Sequence, residues 1–109
     1  MSDSAVKSVI APLIRATESG NLRWETREDN EFIVPVGNSF ANIYNEHGEV
    51  VLRLMNSDMA VVDWVSSSDE TLRGSVTALY EAARRKALGI DVVVSDMLQH
   101  LGVAAEPSH

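Results

Sequence analysis

The chain has 109 residues, none of them cysteine, only three prolines, and aromatic residues at 6% of positions. Without thiols there are no disulfides, no thiolate metal centres and no cysteine nucleophile, and a reducing compartment is expected. Long apolar runs are also missing. The N-terminal stretch MSDSAVKSVIAPLIRATESG is periodic in its apolar residues, but it has neither a basic leader nor a span-length hydrophobic segment. Neither a signal peptide nor a membrane span is expected, which implies a cytoplasmic protein. Basic residues are scarce, nine against sixteen acidic, for a net charge of −7. Phosphate backbones repel such a chain unless its cations are segregated into a stripe, so nucleic acid is not an expected partner.

Constellations that carry chemistry are equally thin. Six glycines, at 20, 37, 48, 74, 89 and 102, are too scattered for a dinucleotide-binding or phosphate-binding loop. The histidines are His47, His100 and His109, with no partner histidine at ligand spacing; Asp96 and His100 could share a helix face, but two groups do not make a metal site. Ser66, Ser67 and Ser68 have no base or oxyanion hole in prospect. The carboxylates of ETREDNE, Glu25 to Glu31, crowd a turn where water reaches them, whereas acid–base work needs one carboxyl desolvated. No metal, no cofactor and no enzymatic activity are expected.

What is present is an ordinary globular composition, 45% hydrophobic and 23% charged, on a chain long enough to bury a core without staples. Residues 1–102 read as one α+β domain and 103–109, VAAEPSH, as a loose tail. Val6, Val9, Ile10, Leu13, Ile14 and Thr17 recur at helical spacing, although Pro12 is expected to bend this helix or restart it. LRWET, FIVPV, FANIY, EVVLRLM and AVVDWV are β-branched and aromatic runs separated by turn residues, and they predict a four- to five-stranded antiparallel meander. Pro35 marks FIVPV as an edge strand or a bulge. Ser67 and Glu70 form a capping-box pattern before a helix with Leu72, Val76, Leu79, Tyr80, Ala83 and Ala87 on one face. A shorter helix then places Val94, Met97, Leu98 and Leu101 inward. Both C-terminal helices are expected to pack on the sheet.

LYEAARRKALGID, Leu79 to Asp91, holds Arg84, Arg85 and Lys86 near a helix C-terminus. Cations there complement the helix dipole, and Glu81 sits four residues before Arg85 in the favourable ion-pair orientation. A solvated helix face explains the cluster; an anion or acidic-partner patch is the functional alternative. The segments LIRATESGNLRWE and LYEAARRKALGIDVVVSDMLQHL together resemble small bacterial and phage-type α+β proteins of uncharacterised function. These carry a T..G.L.W turn into a sheet and an LY..AR helix followed by a short one. The resemblance implies the fold and brings no catalytic residues with it.

Strand alternation points to function. In EVVLRLM one row is Val50, Leu52 and Leu54, the other Val51, Arg53 and Met55; in the next run Val62 and Trp64 share a row. Helices on one sheet face can use only one row of each strand, unless the first helix covers one face and the last two the other. Val51, Arg53, Met55, Val62 and Trp64 are therefore the expected partner-binding residues. A non-enzymatic interaction or adaptor protein is expected, acidic and self-associating as a two-fold dimer or bound to one protein partner. The dimer contact is expected at the sheet face away from the helices, or at the terminal strand's edge, which lacks the proline and lysine that blunt such edges. The alternative is a small-ligand sensor with a pocket lined by Trp24, Trp64 and Tyr80. In gel-shift assays at physiological ionic strength, the chain should show no salt-dependent binding to duplex DNA; a shift that weakens steeply with salt would refute this.

Overall fold

The structure, a computed structural model, describes residues 6–102. It is α+β: helix α1 (Lys7–Glu18), strands β1 (Glu25–Glu28), β2 (Glu31–Val36), β3 (Ser39–Glu46), β4 (Glu49–Met55) and β5 (Val61–Ser66), then helices α2 (Arg73–Leu88) and α3 (Ile90–His100). The strands form one antiparallel sheet in the order β1-β2-β3-β4-β5. The C-terminal helices pack on it, α2 directly and α3 by way of α2. The expected tail at 103–109 lies outside the described residues.

Tight turns set the meander. Between β3 and β4 the pair Glu46 and Glu49 closes on His47 and Gly48, both at positive φ (54° and 90°), as a two-residue hairpin with matching twist requires. The Asn45 side chain accepts the Gly48 N–H at 3.0 Å. Pro35 does not mark an edge strand, because β2 lies between β1 and β3, and its pairing with β3 is regular through Pro35–Phe40. The proline is tolerated because β1 ends first: the last β1–β2 pair is Glu25–Ile33.

The register aligns Phe32, Ile43, Leu52 and Val65 in one column across four strands, with Val34, Ala41 and Leu54 beside it. Val6, Ile10 and Leu13 of α1 and Val76, Leu79, Tyr80 and Ala83 of α2 join these residues in one buried cluster. Both helices thus cover the same face, and the arrangement with helices on opposite faces does not occur. α1 runs unbroken through Pro12, which lies on its exposed side. The apolar stripe stays in phase across the proline, and packing that stripe outweighs one missing backbone bond.

Thr17 joins α1 to the start of the sheet. Its hydroxyl donates to the Leu13 carbonyl at 2.7 Å and accepts the Trp24 indole N–H at 2.9 Å. Both residues are buried, so the indole donor is satisfied inside the core. This is the physical content of the T..G.L.W spacing: Gly20, at φ 84°, reverses the chain and returns Trp24 to Thr17. Trp24 immediately precedes β1, which starts at Glu25, three residues later than the run LRWET.

The capping box is not formed. Ser67 instead continues the β4–β5 ladder, its N–H donating to the Val50 carbonyl at 2.8 Å and its hydroxyl accepting the Val50 N–H at 3.0 Å. Asp69 folds a local turn on Thr71, whose hydroxyl holds the Asp69 carboxyl below its usual pKa range, and α2 starts only at Arg73. At the other end, Gly89 adopts the left-handed conformation (φ 64°) that ends α2. The Phe32 and Tyr80 rings meet at 5.8 Å, and burial pushes the Tyr80 phenol pKa up.

The α2 stripe is core, so Leu79→Ala should cost about 2–5 kcal/mol in denaturant melts. Arg85→Ala should cost less than about 0.5 kcal/mol, as for an exposed ion-pair residue. The reverse order would reject the placement of the stripe.

Candidate interaction surface

The face opposite the helices is built by the alternate residues of the same strands. One row crosses the whole sheet: Glu25, Ile33, Asn42, Arg53 and Trp64, each the register partner of the next. A second row is Glu31, Tyr44 and Val51. No helix among the described residues covers this face. Trp64 is 57% exposed, and Val62, the extra residue where the β4–β5 register shifts, is 63% exposed.

Its centre is polar and fully bonded. Asn42 has no solvent exposure although it lies on the open face, because its neighbours cover it. Its amide nitrogen donates to Glu31 Oε2 at 2.9 Å and to the Phe32 carbonyl at 3.1 Å. Its oxygen accepts the Arg53 Nε–H at 2.8 Å and a second bond from Nη2. Arg53 Nη2 also reaches Glu31 Oε2 at 3.5 Å, and the guanidinium lies 4.9 Å from the centre of the Tyr44 ring. Two bonds to the amide, one carboxylate and one aromatic face restrict the Arg53 side chain before any partner arrives, which lowers the ordering entropy that binding must overcome.

The expected partner-binding residues divide. Arg53 and Trp64 lie on the open face and Val51 is half-buried there; Val62, the extra residue of the bulge, is exposed but borders the α1 side of the sheet with Val9 and Leu13, and Met55 is 4% exposed and closed off. Met55 lines an apolar cleft of about 250 Å³ at the sheet's end, with Val9, Leu13, Phe40, Leu54 and Val62 among its walls. Sequence reasoning missed Asn42, Tyr44 and Glu31. The available signal was an asparagine in mid-strand, a position that disfavours it unless its amide is bonded.

The β5 edge is less open than its composition implies. Asp63 Oδ1 accepts the Trp64 N–H at 2.8 Å, and Oδ2 accepts the Val6 N–H at 3.3 Å. One carboxylate thus occupies an edge donor and sits at the positive end of α1, supplying from another strand the cap that Val6 lacks.

Acidic side chains accompany the basic cluster of Arg84, Arg85 and Lys86. Arg85 pairs with Asp91 beyond the helix end rather than with Glu81, because the turn at Gly89 brings Asp91 within reach. Glu18, Glu81 and Asp91 line the same cleft as Arg85 and Lys86 and offset their charge. The three aromatics of the expected ligand pocket are also apart: Trp24 and Tyr80 are buried in the helix-side core, whereas Trp64 faces outward. Among the described residues no group of three or more His, Asp or Glu side chains could hold a metal ion, and no helix is long and apolar enough to cross a membrane.

Comparison with known protein families, curated proteins and solved structures finds no match to this chain.

Asn42 holds the central network, so Asn42→Ala should cost about 1–3 kcal/mol by leaving buried polar groups unpaired. It should also free Arg53, lowering the order parameter of its Nε–H in NMR relaxation. An unchanged melt with an unchanged Arg53 signal would show that the network is incidental.

Proposed function

We propose that this protein acts by binding protein, as a non-enzymatic interaction or adaptor module that also self-associates. The open sheet face is its recognition surface. The observation that carries the reading is that α1 and α2 share one face, while the other presents Tyr44, Arg53 and Trp64 together with Val51. Trp, Tyr and Arg are the side chains most enriched where binding energy concentrates, and apolar neighbours that exclude water strengthen them. Glu25 and Glu31 lie towards the β1 end of the same face, and net charge is −7, so the fitting partner has an apolar centre and a basic rim. Catalysis, nucleic acid, metal and cofactor have no part in this reading, and a cytoplasmic setting accords with the absence of cysteine.

A second reading rests on the cleft of about 250 Å³ between α1 and the end of the sheet, whose walls are almost wholly apolar. It is somewhat smaller than the usual small-molecule site and would suit a compact apolar ligand. A small molecule retained in the native mass spectrum of the purified chain would favour it.

The test of the leading reading is co-purification of the full chain from its own cells, with Arg53→Ala/Trp64→Ala as control. A stoichiometric protein partner is expected with the natural chain. Each hot-spot truncation typically costs at least about 2 kcal/mol, so the double variant should bind at least about a hundredfold more weakly; Trp64→Ala alone, which breaks no side-chain hydrogen bond, should weaken binding at an unchanged melting temperature. A partner held equally well by the double variant, or no protein partner together with a monomeric chain, would overturn the reading.

A further inference from the structure

Among the described residues, most of the apolar stripe of the last helix is left uncovered, with only Ile90 and Leu98 half-buried. At 100° per residue, Ile90, Val93, Val94, Met97, Leu98 and Leu101 fall in one continuous apolar band, while Asp91, Ser95, Asp96, Gln99 and His100, with Val92 among them, take the other side. The band was expected to face inward. Instead α3 has no buried residue: Val94 is 49%, Met97 58% and Leu101 73% exposed. The reason lies in α2. Its own apolar stripe is spent on the sheet, and the surface it leaves beside the Gly89 corner carries Glu81, Arg84 and Arg85, with Arg85 engaging Asp91. α3 has no apolar seat to fold back onto.

We infer that α3 is the self-association element of this protein and that its apolar band pairs with α3 of a second copy. This rests on the self-association part of the reading above and assigns it to the helix instead of the sheet, which leaves the open sheet face of each copy for a different protein. Three features favour a second copy as the occupant. Ile90, Val94, Met97 and Leu101 follow one another at spacings of four, three and four, the seam by which two helices pack on each other. The band carries no charge, so it is a surface on which two chains of net charge −7 can meet without placing like charges in contact. Leu88, Val93, Val94, Met97 and Leu101 together expose roughly 500 Å² per copy, so a pair removes at most about 1,000 Å² from water, the lower limit for a specific interface. A membrane surface is a poor fit, because the polar side of α3 has two aspartates and no lysine or arginine.

The contact is small, so the dimer is reversible and dependent on concentration. Sedimentation equilibrium of the full chain across the micromolar range tests it. The natural chain should approach twice its mass as concentration rises, and added salt should not weaken it, since salt screens the repulsion between acidic copies. Met97→Glu should weaken dimerisation at least tenfold and leave the melting temperature unchanged, because α3 contributes nothing to the core; Leu101→Glu, further out on the helix, should do the same. Trp64→Glu should leave the dimer intact. A natural chain that stays monomeric, or a Met97→Glu variant that dimerises as well as the natural chain, would overturn the inference. Loss of the dimer in Trp64→Glu but not in Met97→Glu would also overturn it, while leaving the sheet face standing as a protein-binding surface.

Discussion

The column Phe32–Ile43–Leu52–Val65 is the feature on which the rest of the molecule depends. It is where α1 and α2 find their apolar partners, and by alternation it decides which side chains face the other way. A slip of one residue of the β3–β4 hairpin against β2 would turn Asn42 and Arg53 into the helix-side core and expose Ile43 and Leu52. The buried column and the open face are therefore set by one register. Asn42 adds to that specification from the outer side, because its amide reaches Glu31, Phe32 and Arg53 at once only in this alignment.

One-sided cover has consequences at both ends of the chain. With both long helices on a single face, the sheet keeps a half-apolar outer surface at its β5 end and an acidic one at its β1 end. The β5 strand would be an adhesive edge, but Asp63 turns its carboxylate onto the Trp64 N–H and the start of α1. Edge pairing is thus restrained while the face beside it stays open, which favours side-chain recognition over strand addition. At the C-terminus, α2 exhausts its apolar stripe on the sheet, so α3 leaves the domain with its own stripe uncovered.

Sequence reasoning reached the element order, the antiparallel meander, the α2 stripe and the separation of Val50, Leu52 and Leu54 from Val51 and Arg53. Each of these depends on local periodicity, a property of consecutive residues. Sequence reasoning erred where a local pattern had a stronger competitor elsewhere in the chain. Ser67 looks like a helix cap, but the unpaired backbone of Val50 claims it. Pro12 looks like a break, but the stripe on either side of it stays in register with the sheet. Arg85 has a suitable acid one turn back, yet Asp91 lies within reach once Gly89 turns the chain.

By itself, the sequence determined the α+β class, the element order and the lack of any thiol, because composition and local periodicity suffice to decide those points. Only the tertiary structure decided which face each amphipathic element uses. Periodicity identifies a stripe that must be buried, but not what buries it: the stripes of α1 and α2 meet the same sheet face, while the equally clear stripe of α3 stays largely uncovered among the described residues. The Arg53–Asn42–Glu31–Tyr44 cluster likewise exists only through the pairing of three strands, since its members lie up to 22 positions apart in sequence and become neighbours by register alone.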